Sequence, residues 1–130
     1  MPVARNHMST ELLTVEPTLP LTEVAKRMVS KDVGAVLVFD GDELAGILTE
    51  RDVLRAVADG IDEQATLVRD RMTPHPETLD ADDTTEHAAV LMIHGGFRHM
   101  PLVEGDRVVG MLSIRDLMRV VLDNAAPRGV

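Results

Sequence analysis

Apolar residues fall into two kinds of pattern along this chain, and the two kinds alternate. Leu21, Val24, Ala25, Met28 and Val29 take the i, i+3, i+4, i+7, i+8 spacing of one helical face. Pro20 suits the start of that helix, because its missing N–H would be unpaired there anyway. A nearly unbroken apolar run, Ala-Val-Leu-Val-Phe-Asp at 35–40, then reads as a strong strand. Gly41 and Asp42 make a tight hairpin turn, and 43–49 is the return strand. Helical spacing returns from about residue 50 to 58, with Val53, Leu54 and Val57 on one face. A short strand near residues 14–16 precedes all of this, so the order is β-α-β-β-α.

The same order recurs 64 residues later. Residues 5–60 lie over 69–124 without a gap, and 14 of the 56 pairs are identical, where unrelated sequences would share roughly 3 or 4. The second copy has a short strand near 78–80 and a helical stripe through Ala88, Leu91 and Met92 that ends at Gly95–Gly96. Strands follow at 99–104 and 107–113 around Gly105 and Asp106, then a helix at 114–123 carrying Leu117, Met118 and Val121. Pro101 cannot donate to a strand ladder, so its nitrogen should face an edge or a cleft. The chain therefore divides into repeats at 3–60 and 67–124, a linker at 61–66 and a tail at 125–130. A unit of about 60 residues buries too little surface to stand well alone, so the halves are expected to pack together as an α+β module with pseudo-two-fold symmetry and two related clefts.

Composition narrows the function. The net charge is −9 and only Phe39 and Phe97 are aromatic. Phosphate neutralisation needs clustered Lys and Arg, and single-stranded nucleic acid needs stacking platforms, so nucleic acid is not the expected partner. The acidity equally disfavours an anionic membrane surface. No apolar stretch approaches the ~18 residues of a membrane span and the N-terminus lacks a secretion signal, so a soluble cytoplasmic protein is expected. There is no cysteine, which removes disulfides and thiolate chemistry. The five histidines show no metal-ligand spacing, so no metal site is expected. Hydrolase elbows and phosphate-binding loops of the Walker type are missing, and no enzymatic activity is expected.

The motif that carries chemistry is Gly-Ile-Leu-Thr-Glu-Arg-Asp at 46–52, repeated as Gly-Met-Leu-Ser-Ile-Arg-Asp at 110–116. Each lies where a strand turns into a helix. Thr49 and Ser113 would be N-caps, with free backbone N–H groups beyond them that favour an anion. Asp52 and Asp116 are acceptors able to take two donors, as a ribose diol would offer. Arg51 and Arg115 add cations that could approach phosphate. A structural reading stands beside this one: Ser/Thr-x-x-Asp is close to a capping box, in which the acid reaches back to the N-cap N–H. A cap alone, however, requires neither the Gly three residues before it nor the Arg beside the Asp.

This doubled pattern resembles the CBS (cystathionine β-synthase) domain, found as tandem pairs called Bateman modules. The segments opening each half, Val-Ala-Arg-Asn-His-Met-Ser at 3–9 and Leu-Val-Arg-Asp-Arg-Met-Thr at 67–73, also resemble the family's. The resemblance implies binding of adenosine-containing ligands in clefts between the repeats. The ligand could be AMP, ADP or ATP, or S-adenosylmethionine or NAD(H), held as a regulatory ligand and not as a required cofactor. It implies ribose binding by Asp52 and Asp116, and ribose or phosphate contacts from Thr49 and Ser113. It further implies phosphate contacts from Arg98 and His99, and a base slot near Val15, Leu79, Met100 and Pro101. A homodimer through the apolar helical faces and an effector protein are the implied partners. The halves differ at one place: Gly34 and Ala35 stand where the second half has Arg98 and His99, so the two clefts are not expected to bind equally. The alternative is a structural or dimerisation module whose nucleotide sites are vestigial.

Overall fold

The structure is a computed structural model that describes residues 1–62 and 64–125. Glu63, in the expected linker, and 126–130, in the expected tail, lie outside the described residues. The chain forms two compact units, one of Leu12–Pro76 and one of Met1–Glu11 with the chain from Glu77 onward.

In the first of these, β1 (Thr14–Val15), α1 (Leu21–Lys31), β2 (Ala35–Asp40), β3 (Glu43–Thr49) and α2 (Glu50–Ala58) follow in the expected order. They are completed by a short helix α3 (Val68–Arg71) and a strand β4 (Thr73–Pro74). The sheet order is β1-β2-β3-β4, with β1 parallel to β2 and the other pairs antiparallel. The helical stripe is buried in part: Leu21, Val24 and Met28 of α1 are buried with Val36, Val38 and Leu48 of the sheet and Ala56 of α2, whereas Val29, at the edge of the same stripe, turns outward. Asp32, in the left-handed region at φ 54°, stops α1, and Gly41 turns the hairpin at φ 62°.

The other unit repeats this with a 3₁₀ turn (Ala4–His7), β5 (Leu79–Asp80), α4 (Thr85–Gly95), β6 (His99–Glu104), β7 (Arg107–Ser113) and α5 (Ile114–Ala125). Its sheet order is β5-β6-β7, and its core gathers Leu79, Ala88, Met92, Met100, Leu102, Leu112 and Leu117. α5 runs to Ala125, one residue into the expected tail. Pro101 lies on the central strand, and its missing N–H falls just before β5 begins. In the other unit Leu37, at the same register position, donates there to the Leu13 carbonyl at 3.0 Å.

The compact units and the sequence repeats divide the chain differently: the segment that opens each repeat is built into the unit formed mainly by the other. Val68, fully buried, donates from its N–H to Leu19 O at 2.9 Å, and Arg69 to Pro17 O at 3.1 Å. Ala4, also fully buried, donates to Asp83 O at 2.8 Å, and Arg5 to Ala81 O at 2.8 Å. These bonds match one another at the 64-residue offset. Backbone hydrogen bonding and core burial thus tie 67–76 and 1–11 to sheets their own repeats do not contain. Among the described residues no helix is long and apolar enough to cross a membrane.

Candidate functional site

Each unit brings one copy of the repeated motif to the junction of its long return strand and the following helix. Thr49 has extended backbone, φ −116° and ψ 164°, and caps α2. Its N–H donates to Asp52 Oδ2 at 2.8 Å, its hydroxyl donates to the same oxygen at 3.0 Å, and Asp52 N–H points back at Thr49 Oγ1 at 3.4 Å. The second copy superimposes on this bond by bond. Ser113 N–H and Oγ–H donate to Asp116 Oδ2 at 2.8 and 2.9 Å, and Asp116 N–H donates to Ser113 Oγ at 3.1 Å. The capping box that the spacing allowed is therefore formed in both units.

The cap does not exhaust the carboxylates. An ionised carboxylate offers about four lone-pair sites on two oxygens, and the box uses Oδ2 alone. Among the described residues Asp52 Oδ1 has no partner. Asp116 Oδ1 has Arg119 at 3.6 Å, a pair whose Arg side chain is 66% exposed; such pairs hold by at most about 1 kcal/mol. Each box therefore leaves one oriented acceptor oxygen on a half-buried carboxylate. Holding Oδ2 with two donors fixes the direction of Oδ1.

The cations divide by position. Arg51 and Arg115 sit on the exposed first turns of α2 and α5, and among the described residues neither has an ion-pair partner. Arg98 is exposed where β6 begins and His99 is half-buried, with Ser113 opposite it in the ladder. The structure thus brings Arg98, His99, Ser113, Arg115 and Asp116 to one end of one sheet. At the matching end of the other unit, Ala35 lies opposite Thr49 and Gly34 stands in place of the arginine.

The four residues expected to hold a base are placed differently. Val15 and Leu79 are 6% exposed, Met100 and Pro101 are fully buried, and Val15, Leu79 and Met100 belong to the hydrophobic cores of their units. Their surfaces are mostly spent on packing. Val15 also borders an open depression of about 500 Å³, with Thr14, Glu16, Arg27 and Phe39. That depression lies at the hairpin end of β2, opposite the end that carries Thr49. Among the described residues no group of three His, Asp or Glu side chains is placed to hold a metal ion.

Two features of the site escaped the sequence reading. The glycines of the motif, Gly46 and Gly110, are required by close approach. A Cβ on Gly46 would lie 2.5 Å from Met72 Sδ and 2.9 Å from Thr73 O. One on Gly110 would meet Met8 Sδ and would lie 3.0 Å from Ser9 O. Met8 and Met72 are identical at the 64-residue offset, which was the available signal. The second feature is Glu50, whose carboxylate lies where it would touch a side chain at position 34, 3.3 Å from a Cβ placed on Gly34.

Comparison with known proteins gives these geometries a family context. The CBS domain model matches residues 4–59 and 68–123. An uncharacterized 17.7 kDa protein of Acidianus ambivalens is 33% identical over 118 residues, covering 88% of this chain and 70% of that protein. In several longer curated relatives the match takes in only 17–19% of their length. Among solved structures, a CBS-domain containing protein from Agrobacterium tumefaciens aligns with a TM-score of 0.86 at 30% identity, covering 92% of this chain and 98% of that one. A CBS domain pair solved in complex with 5′-methylthioadenosine and S-adenosyl-L-methionine aligns with a TM-score of 0.83 at 23% identity, covering 92% of this chain and 98% of that one.

Proposed function

Since the chain belongs to the CBS domain family and carries the domain twice, we propose that it is a regulatory module that binds adenosine-containing ligands and signals by a change of conformation or assembly. The observation that carries this reading is the pair of register-matched capping boxes, each presenting one oriented aspartate oxygen beside an arginine at a helix N-terminus. Asp52 and Asp116 take the ribose hydroxyls. Arg51, Arg115, Arg98 and His99 provide the donors around the 5′ group, and Thr49 and Ser113 reach ribose or phosphate by turning their hydroxyls away from the carboxylates. Val15, Leu79, Met100 and Pro101 meet the base only after some repacking, since they are buried now. The solved relative that holds 5′-methylthioadenosine and S-adenosyl-L-methionine supports an adenosyl ligand class; AMP, ADP, ATP and NAD(H) carry the same ribose. The module acts in the cytoplasm, and control of an effector requires that the ligand favour one of two states, since equal affinity for both shifts nothing.

The test is thermal unfolding of the whole chain against AMP, ADP, ATP, S-adenosylmethionine, 5′-methylthioadenosine and NADH, with Asp52→Ala and Asp116→Ala alongside. A ligand at 100 times its Kd adds about 2.7 kcal/mol, a rise of several degrees for a chain of this size. Each variant also loses a cap, so the quantity compared is the ligand-induced rise within each protein. Ligand-independent midpoints in the wild type would leave the second reading, a dimerisation module. That reading is favoured by exposed apolar side chains on the helices: Val29 is 82% exposed, Ile93 75%, Leu54 69% and Leu122 62%.

A further inference from the structure

The two repeats place opposite charge at the same point of the proposed site. The backbone of residue 34 and the first residue of α2 are tied by a hydrogen bond, Glu50 N–H to Gly34 O at 3.0 Å. Residue 98 and the first residue of α5 are tied in the same way, Ile114 N–H to Arg98 O at 2.9 Å. Positions 34 and 50 therefore correspond to positions 98 and 114 in structure as well as in sequence. In one unit this neighbouring pair is Gly and Glu, and in the other it is Arg and Ile. The Glu50 carboxylate lies beside Gly34: a Cβ there would lie 3.3 Å from Glu50 Oε1 and 3.6 Å from Oε2.

The helix termini differ in the same sense. The first turn of α2 already carries two carboxylates, Glu50 and Asp52, whereas that of α5 carries Asp116 alone. An acid in the first turn offsets the positive end of the helix, so α2 has less left to offer an incoming anion. The strand residue beside the cap follows suit, Ala35 against His99. Arg51 and Arg115 are common to both and do not discriminate.

We propose that the two half-sites sort adenosyl ligands by the charge of the 5′ group. The one at α5, with Arg98, takes a 5′-phosphate. The one at α2 excludes it through Glu50 and takes a neutral or cationic 5′ substituent. The proposal rests on the adenosyl-binding reading above. Reversing one unit charge close to a partly solvated phosphate changes affinity by about tenfold or more.

The experiment is isothermal calorimetry on the whole chain with AMP and with uncharged 5′-methylthioadenosine, in wild type, Asp52→Ala, Asp116→Ala, Glu50→Gln, Gly34→Arg/Glu50→Ile and Arg98→Gly. Gly34 is free of positive φ and its neighbour is the flexible end of a side chain, so an arginine fits there. Circular dichroism and a thermal midpoint confirm folding of each variant. The expected wild-type result is one AMP, lost in Asp116→Ala and kept in Asp52→Ala, and 5′-methylthioadenosine binding lost in Asp52→Ala. Gly34→Arg/Glu50→Ile should raise AMP stoichiometry to two, Glu50→Gln should give a weaker second AMP, and Arg98→Gly should weaken AMP tenfold or more. Two equal AMP sites in the wild type, no second AMP in Glu50→Gln, or AMP affinity unmoved within twofold by Arg98→Gly, would overturn the charge sorting and leave adenosyl binding intact. No heat from either compound in the wild type would overturn both.

Discussion

Gly46→Ala isolates the close contact on which the site strand depends. The added methyl would stand 2.5 Å from Met72 Sδ, 2.9 Å from Met72 Cγ and 2.9 Å from the carbonyl oxygen of Thr73, where carbon contacts are comfortable at about 3.5–4.0 Å. The methionine end can swing aside. The Thr73 carbonyl cannot, because Thr73 is paired with Ile47 and Pro74 with Gly46 in the β3–β4 ladder. One strand must therefore move. Overpacking of this kind costs about 1–3 kcal/mol, while loss of glycine freedom in the unfolded chain returns about 0.4–1 kcal/mol. The net expectation is a loss of about 1–2 kcal/mol, or about 0.5–1 M in the urea midpoint at an m-value near 2 kcal/mol/M.

The chain has no Trp or Tyr, so the assay is urea unfolding followed by far-ultraviolet circular dichroism. Met72→Ala supplies the control. It removes the sulfur and Cγ contacts but leaves Thr73 O, so the penalty of Gly46→Ala should shrink in the Met72→Ala background without vanishing, a coupling of about 0.5–1 kcal/mol. Gly46→Ala as stable as wild type, or an equal penalty in both backgrounds, would refute the claim that this glycine is kept for the approach of the segment carrying Met72.

Three further outcomes follow from the same structure. Removing one cap hydroxyl, Thr49→Val or Ser113→Ala, should cost about 1 kcal/mol each and lower the thermal midpoint by about 3–5 °C, with α2 or α5 fraying first in amide exchange. Arg5 bonds Asp82 at 2.9 Å and holds its carboxyl below the ordinary aspartate value, and the His87 ring at 2.8 Å, with Thr84 N–H, does the same for Asp83. Because both are depressed on folding, their stabilisation is full above the unfolded value of about 3.9 and is lost as pH falls through the folded values. Stability measured from pH 5 to 2 should therefore drop below about pH 4, less steeply in Arg5→Gln. Leu54→Lys with Met118→Lys places charge on two exposed apolar helical faces, at 69% and 54% exposure, and should lower the sedimenting mass if these faces join copies of the chain.

Elements with a period of their own were legible in the sequence. The α1 helix, with all of its stripe but Val29, the apolar runs of β2 and β6 and the glycine turns at 41 and 105 appear where the pattern puts them. The 3₁₀ turn at Ala4–His7, α3 and β4 were not legible as elements, because two to four residues carry no periodicity. What orders them is the partner sheet: Ala4 and Val68 are fully buried and their N–H groups are taken by distant carbonyls. The identity of Met8 and Met72 pointed to them, but only the approach to Gly110 and Gly46 says why a methionine recurs there.

The site divides along the same line, between what is local and what is not. Thr49–Asp52 and Ser113–Asp116 span three residues each, so their geometry follows from the N-cap alone and the sequence carried it whole. The base-slot residues were inferred by resemblance, and nothing local says whether Val15 or Met100 faces a ligand or a core. The asymmetry at 34 and 98 was visible as a missing arginine, yet its counterpart at 50 and 114 was not, since the residues are 16 apart and only the folded strand-to-helix junction brings them together. Seen together, the two substitutions form one exchange. The Glu50 carboxylate lies beside Gly34, where it would pair with and neutralise an arginine if one stood at position 34. The exchange leaves the capping aspartate, Asp52 or Asp116, the same in both units and reverses the charge beside it. A change of charge there costs the fold little, because both Glu50 and Arg98 are exposed and neither belongs to a core.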